Sequence, residues 1–137
     1  MRRNMKRLNH IAIAVSDLDA AEQTYRDVLG LEWQGREEVV SQKVMTSTFG
    51  IGESQVELIN PTAEDSPIAA YLAKRGNGLH HICFEVDDIE AETERLKRRG
   101  VRLLSEKPTA GVRGSKVVFL HPKDANGVLV ELVEKAR

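Results

Sequence analysis

"NHIAIAVSDL" at residues 9–18 and "HHICFEVDDI" at residues 80–89 repeat one pattern along the chain. The two copies are offset by 71 positions, an alignment that pairs His10 with His81. In each copy a short apolar run of strand length leads into a helical pattern, and that pattern closes on a glycine, as helix C-termini often do. The repeat therefore predicts a chain built from two similar halves.

Three strand-like segments follow the helix in each half. They lie at about 31–38, 43–51 and 54–60 in the first half and at about 101–105, 115–122 and 127–134 in the second. Glycines mark the turn between the last two segments of the first half. The predicted order of elements in each half is therefore one strand, one helix and three strands (βαβββ). The predicted fold class is α+β, with two paired βαβββ modules forming a curved mixed sheet around a cleft.

The segment "SPIAAYLAKRG" is predicted to be a helix that connects the two halves. Ser66 is a candidate N-cap, Pro67 occupies the first helical position, and Gly76 follows the end. Because neither half has enough apolar residues for a core of its own, we expect a single domain over residues 1–137. Its parts are module 1 at about 8–60, the connecting helix at about 66–75 and module 2 at about 79–134.

Composition narrows the classes of function. The chain has 137 residues, 41% hydrophobic and 30% charged, with a net charge of −1. That balance gives no reason to expect a nucleic acid or an anionic membrane as partner, and no apolar stretch approaches the roughly 20 residues that span a bilayer. A single cysteine, Cys83, cannot form an internal disulfide, which suits the cytoplasm.

The two repeated histidines are candidate functional residues. If the halves are related by a pseudo-twofold axis, His10 and His81 occupy equivalent places near strand ends and both face the cleft. Ala12 and Cys83 share that face, and such small residues leave room for a ligand beside a histidine. His80 points to the opposite face, because neighbours on a strand alternate.

A second equivalent pair is acidic. "QVELI" and "LVELV" share the triplet Val-Glu-Leu, which aligns Glu57 with Glu131. Burying two nearby carboxylates is unfavourable unless a cation compensates them. Two histidines and two glutamates around one divalent ion would meet that requirement, and the donor set suits Co²⁺, Mn²⁺, Fe²⁺, Zn²⁺ or Ni²⁺. The alternative is that the histidines are hydrogen-bonded strand ends and the glutamates lie on solvated faces.

Longer segments resemble the vicinal oxygen chelate superfamily and, within it, the methylmalonyl-CoA epimerases. The similarity runs from Leu8 to Glu134 and is carried by "LNHIAIAVSDLDAAEQTYRDVLGL", "SPIAAYLAKRGNGLHHICFEVDDIEA" and "VVFLHPKDANGVLVELVE". The resemblance implies paired βαβββ modules and one metal ligand from each of four strands. At the matching positions these ligands are His10, Glu57, His81 and Glu131. Some members of the family have glutamine where this chain has Glu57.

The resemblance also implies a reaction. Members of that branch interconvert the R and S forms of methylmalonyl-CoA by removing and returning the proton at C2, through a metal-stabilised enolate. The family assigns both metal binding and proton transfer to the equivalent of Glu131, which makes Glu131 the first candidate for a catalytic base. The partner is then an acyl-CoA thioester, and a homodimer is expected by analogy.

One departure concerns the second acid/base that inversion requires. Some family members place this carboxylate on the strand that here reads "KVMTSTFGI", which contains none. Glu37 and Glu38 lie upstream and could reach in from a loop, Glu57 could serve if weakly bound to the ion, or a water could relay the proton.

Three other functions are compatible with the same pattern. A glyoxalase I-type lactoylglutathione lyase uses the same four ligands. An extradiol dioxygenase binds Fe²⁺ with two histidines and one carboxylate, so the second carboxylate, Glu57, argues against it. A non-enzymatic binding module of this fold usually has an aromatic-lined cleft, whereas aromatic residues make up only 4% of this chain.

Overall fold

The structure, a computed structural model, describes residues 4–137, so the first three residues of the predicted domain lie outside the described part. The chain divides into two compact units. The first unit is His10–His80. The second unit comprises His81–Arg137 and, of the described residues, those at 4–9 that precede His10.

Eight strands and three α-helices make up the described chain. The first unit uses β1 (Arg7–Ala14) from His10 onward, then α1 (Leu18–Gln23), β2 (Glu32–Val39), β3 (Val44–Ile51), β4 (Ser54–Pro61) and α2 (Pro67–Arg75). A π-helical turn, Thr24–Val28, extends α1. The second unit contains β5 (Gly78–Glu85) from His81 onward, α3 (Ile89–Arg98), β6 (Thr109–Ala110), β7 (Lys116–Leu120) and β8 (Val130–Glu134).

Each unit has the predicted βαβββ order, and the α+β fold class is confirmed. Within the first unit the strand order is β2-β3-β4-β1, and within the second it is β6-β7-β8-β5. The pairs β1/β4 and β5/β8 are parallel, whereas the other pairs in each unit are antiparallel. A parallel pair needs a long crossover connection, which α1 with β2 and β3 supplies in one unit and α3 with β6 and β7 in the other.

One strand prediction was wrong. The segment predicted as a strand at 101–105 forms a single bridge, from Leu103 to Leu120, and the short strand β6 comes later. Backbone bonds from Leu104 N–H to the Phe119 carbonyl and from His121 N–H to the Arg102 carbonyl hold the segment beside β7. Pro108, which has no N–H to donate, precedes β6.

The helix starts and the connecting helix agree with the sequence. Asp17 and Asp88 are the N-caps of α1 and α3, and their carboxylates accept hydrogen bonds from Ala20 N–H at 3.0 Å and Ala91 N–H at 3.1 Å. Helix α2 begins after Ser66, whose hydroxyl accepts from Ile68 N–H. These caps satisfy backbone donors that have no partner within the helix.

Each sheet packs one face against its helices. In the first unit that helix face contributes Phe49, Val56 and Leu58 to a core that includes Leu18 of α1. In the second unit Val118, Val130 and Leu132 pack with the α3 residues Ile89 and Leu96. Because side chains alternate along a strand, the residues between these core positions project from the other side of each sheet.

We call that other side the His–Glu face of each unit, since it carries His10 and Glu57 in the first unit and His81 and Glu131 in the second. The strand register shows this directly. Glu57 pairs with Ala12 on β1 and with Thr48 on β3. Glu131 pairs with Cys83 on β5 and with Phe119 on β7. Cross-strand partners share a face.

A β-bulge in β2 sets the facing of its second half. The register with β3 shifts between Trp33 and Gly35, so that Gln34 is the extra residue. Trp33 consequently lies on the helix face, where its indole N–H donates to Ser47 Oγ at 3.0 Å. After the bulge, Arg36 pairs with Ser47 on the helix face and Glu37 pairs with Thr46 on the His–Glu face.

Candidate metal centre

In the first unit the structure brings His10 and Glu57 together. His10 is 5% exposed and Glu57 is 5% exposed. The distance from His10 Nδ1 to Glu57 Oε2 is 3.5 Å. The parallel pairing of β1 with β4 produces this contact, because it aligns His10 with Gln55, two residues from Glu57 on the same face.

The second unit contains the corresponding pair. His81 is 8% exposed and Glu131 is 6% exposed, and His81 Nε2 lies 3.1 Å from Glu131 Oε1. The Phe119 ring meets the His81 imidazole edge to face, with the ring centroids 5.4 Å apart, which restricts the orientation of the imidazole. Each predicted histidine ligand is thus held beside the predicted glutamate ligand of its own unit.

Small side chains lie beside each histidine along its own strand. Ala12 and Ala14 next to His10, and Cys83 next to His81, are fully buried. Cys83 packs with Val117 and Val133. These neighbours fill little volume on the His–Glu faces, so the imidazole and carboxylate groups are not crowded by large side chains of their own strands.

The donor chemistry of the two pairs fits a divalent transition metal. Imidazole nitrogens and carboxylate oxygens are the ligands that Zn²⁺ and its first-row neighbours accept. Metal-bound histidines are neutral, and a buried carboxylate is stabilised by a cation. The residues present therefore suit the ion that the sequence predicts.

Not every buried carboxylate is of this kind. Glu85, also on the His–Glu face of the second unit, is surrounded by cationic side chains: the nearest nitrogens are those of Lys135 at 3.5 Å, Lys6 at 3.8 Å and Arg7 at 3.9 Å. The Asn9 amide also donates to Glu85 at 3.3 Å. The protein therefore compensates this carboxylate with its own charges.

Glu22 of α1 is a second carboxylate compensated by the chain, on the helix face of the first unit. Arg36 donates to both of its oxygens, at 2.6 and 2.7 Å, and Ser47 Oγ donates at 2.5 Å. These bonds, that from Arg36 foremost, hold the pKa of Glu22 below its ordinary value of 4.5 despite burial. The pair supports the packing of α1 and is separate from the candidate metal centre.

Replacing Arg36 with leucine tests whether the buried Glu22 carboxylate depends on Arg36 for its stabilisation. The variant leaves the Glu22 carboxylate buried without its main donor, and we expect a loss of about 1–3 kcal/mol in the free energy of unfolding at pH 7. A carboxyl group with a lowered pKa stabilises the fold above its unfolded pKa and loses this contribution as the pH falls through the folded value.

The difference between wild type and Arg36→Leu in urea denaturation should therefore shrink below about pH 4.5, the ordinary pKa of a glutamate. Arg26→Leu is the matched control, because the Arg26–Asp27 pair is exposed and worth under about 1 kcal/mol. A difference that stays constant from pH 7 to pH 3 would contradict this role of Glu22.

The other residues considered in the sequence analysis, His80, Glu37 and Glu38, lie on different faces of their strands. His80 lies on the opposite side of β5 from His81, and its ring makes an edge contact with Tyr71 at a centroid distance of 4.9 Å. Glu37 and Glu38, considered as residues that could reach in from a loop, belong instead to strand β2, so the loop placement was wrong. Sequence reasoning could not assign their faces, because the bulge at Gln34 interrupts the alternation.

Among residues 4–137, no helix is both long enough and apolar enough to cross a membrane.

The chain was compared with protein families and with known proteins. Residues 9–119 match the model of the Glyoxalase/Bleomycin resistance protein/Dioxygenase superfamily. An ethylmalonyl-CoA/methylmalonyl-CoA epimerase of Cereibacter sphaeroides is 48% identical, covering 92% of this chain and 96% of that protein. The mitochondrial methylmalonyl-CoA epimerase of Homo sapiens is 45% identical, covering 94% of this chain and 74% of that protein.

Solved structures agree. A variant of the Streptomyces coelicolor methylmalonyl-CoA epimerase in complex with 2-nitronate-propionyl-CoA is 41% identical, covers 96% of each chain and superposes with a TM-score of 0.92. A lactoylglutathione lyase homologue of Vibrio cholerae is more distant, at 27% identity over 93% of this chain and 90% of that protein. This chain therefore belongs to the glyoxalase/bleomycin resistance protein/dioxygenase superfamily, in which its close relatives are methylmalonyl-CoA epimerases.

Proposed function

We propose that this protein is a metal-dependent methylmalonyl-CoA epimerase, in which His10, Glu57, His81 and Glu131 together hold one divalent ion. The observation that carries the proposal is the buried histidine–glutamate pair in each of two repeated units, in a chain 45–48% identical to epimerases over more than nine-tenths of its length. An ion shared by the two pairs would compensate both buried carboxylates at once.

The substrate class follows from the relatives and from the chemistry of the site. The C2–H of methylmalonyl-CoA lies between a thioester and a carboxylate, and removal of its proton places negative charge on the thioester oxygen. A bound divalent ion supplies Lewis-acid stabilisation of that charge. No redox cofactor and no nucleophilic side chain is required, which agrees with the inert, fully buried Cys83.

The residues of the chain have separate tasks in this scheme. His10, Glu57 and His81 hold the ion, and Glu131 both binds it and accepts the C2 proton. Phe119 fixes the ring of His81, and the small residues Ala12 and Cys83 leave space for the acyl group. The imidazoles act as neutral donors, which requires that they be deprotonated when the ion binds.

The competing activity is lactoylglutathione lyase, which resembles this chain at lower identity. The epimerase is favoured because the relatives at 45–48% identity are named for acyl-CoA substrates, whereas the lyase homologue matches at 27%. We further propose that the protein works in the cytoplasm, consistent with its single, buried cysteine, and that it acts as a homodimer, as the resemblance implies.

The proposal is tested by isotope exchange. Purified protein loaded with Co²⁺ or Mn²⁺ is incubated in D₂O with (R)- or (S)-methylmalonyl-CoA, and both deuterium at C2 and the R/S ratio are followed. We expect deuterium incorporation with conversion to an equal mixture, and loss of both after chelation of the metal. Metal-loaded protein that isomerises the hemithioacetal of glutathione and leaves methylmalonyl-CoA unchanged would refute the epimerase assignment.

A further inference from the structure

The carboxylate of Glu37 is the feature that the proposed function leaves unused. Inversion at C2 needs proton transfer on both sides of a planar intermediate, whereas the ligand set offers one base, Glu131. We propose that Glu37 is the second acid/base and serves the side of the substrate opposite Glu131. This inference rests on the proposed epimerase function.

The strand register places Glu37 on the His–Glu face of the first unit. Glu37 pairs with Thr46, Thr46 pairs with Ile59, and Ile59 lies two residues from Glu57 on β4. Each step between paired residues, or by two along a strand, keeps the same face. Glu37 and the candidate ligand Glu57 therefore project from the same side of one sheet.

Apart from Ile59, which pairs with Thr46, the residues near the two glutamates on this face are small. Gly35 and Thr48 are paired across β2 and β3, Thr46 precedes Thr48 by two residues, and Ala12 stands beside Glu57. Glu37 and Glu57 are two strand spacings of about 4.8 Å apart across the sheet and two residues, about 7 Å, apart along it, so their Cα atoms lie roughly 12 Å from each other. Because the side chains between them are mostly short, the two glutamates leave room between their carboxylates for a small acyl group.

The backbone of Glu37 is fixed from its neighbour strand. The Thr46 hydroxyl donates a hydrogen bond of 2.8 Å to the Glu37 carbonyl, in addition to the pairing of the two strands. The bulge at Gln34 determines this facing, because in a strand with regular alternation Glu37, four residues after Trp33, would lie on the same side as Trp33. Bulges of this kind commonly redirect a side chain beside a functional site.

Other acidic residues nearby are less suited to the role. Glu38 is exposed and projects from the helix face, where its partner is Met45. Glu57 is held against His10. Glu32 pairs with Gly50 at the exposed end of β2, beyond Gln34. Glu37 is half-buried and closest in register to the surface of small residues.

The proton inventory balances without a further reactant. One carboxylate takes the C2 proton, and the electron pair of the broken C–H bond is delocalised onto the thioester oxygen. The other carboxyl group, which starts protonated, delivers its proton to C2 from the opposite side. A new C–H bond replaces the old one, the configuration inverts, and the two acids exchange protonation states.

The test compares Glu37→Gln with Glu38→Gln, which removes the neighbouring charge from the other face. Each C2 epimer is incubated separately in D₂O with metal-loaded protein, and inversion and deuterium incorporation are measured independently. For Glu37→Gln we expect inversion to fall by about 10²–10⁴-fold, the usual contribution of an acid/base group. One epimer should still incorporate deuterium with retention, through Glu131, while the other should not exchange. Glu38→Gln should behave as wild type.

Metal content and Glu37→Asp complete the experiment. Glu37→Gln should bind the metal as wild type does, and Glu37→Asp, which keeps a shorter carboxylate, should recover part of the inversion. Wild-type inversion by Glu37→Gln, equal loss of exchange from both epimers, or loss of the metal would each overturn this assignment. If the wild type itself neither exchanges nor inverts methylmalonyl-CoA, the proposed function fails, which is a separate result.

Discussion

Replacing His81 with alanine is expected to lower the affinity for the divalent ion at least about 100-fold and to abolish exchange of the C2 proton. Loss of groups that merely orient a metal ligand costs 10–100-fold in affinity, so loss of a ligand sets a lower bound at the top of that range. The change also leaves Glu131 buried without the imidazole that lies 3.1 Å away.

Metal content by elemental analysis, the binding constant by titration and exchange in D₂O together check this expectation. His80→Ala is the matched control, since it removes the neighbouring imidazole, which makes an edge contact with Tyr71, from the opposite face of the same strand. It should retain the metal and the exchange activity. If His81→Ala binds metal as tightly as wild type, the ligand assignment of His81 is wrong.

The second large effect is expected for Glu131→Gln. The amide has the shape of the carboxylate but cannot accept the C2 proton as a base, and it is a weaker, neutral metal ligand. We expect C2 exchange to fall by about 10²–10⁴-fold when the variant is saturated with metal, with a further loss at limiting metal. Measuring exchange across a metal titration separates the two contributions.

Glu134→Gln is the control for that variant. Glu134 follows on the same strand, faces the helix side, and accepts a hydrogen bond from Ile89 N–H at 2.9 Å, which a glutamine oxygen can also accept. Exchange at the wild-type rate by metal-saturated Glu131→Gln would show that Glu131 binds the ion without transferring the proton.

Much of the architecture could be predicted because short sequence signals determine it, and because those signals occur in both halves of the chain. The same βαβββ order is indicated by the repeat at an offset of 71 residues, by the two aspartate N-caps and by the alternating strands. A weak prediction for an element in one half is therefore supported by the equivalent element in the other half. The exception is 101–105, whose apolar residues suit a strand but where the structure contains a single bridge.

Part of the candidate site could also be predicted from the sequence, and part could not. The four candidate ligands follow from the repeat, because equivalent strands place equivalent side chains on equivalent faces. The facing of Glu37 does not follow from the repeat, since it depends on the bulge in β2. Gly35, whose φ is 113°, is the signal that could have suggested the bulge, because a glycine inside a strand often marks one. Its exact place, between Trp33 and Gly35, is seen in the register with β3.

The bulge at Gln34 in β2 determines which faces of the sheet two adjacent side chains, Arg36 and Glu37, occupy. Arg36 neutralises Glu22 beneath the helix, while Glu37, one position later, is turned toward the acyl group in our proposal. A regular β2 of the same length, with Trp33 still paired to Phe49, would exchange their destinations, sending a cation to the substrate side and an acid into the apolar interior. A relative whose β2 has this length but lacks the bulge can therefore differ in chemistry while keeping every metal ligand.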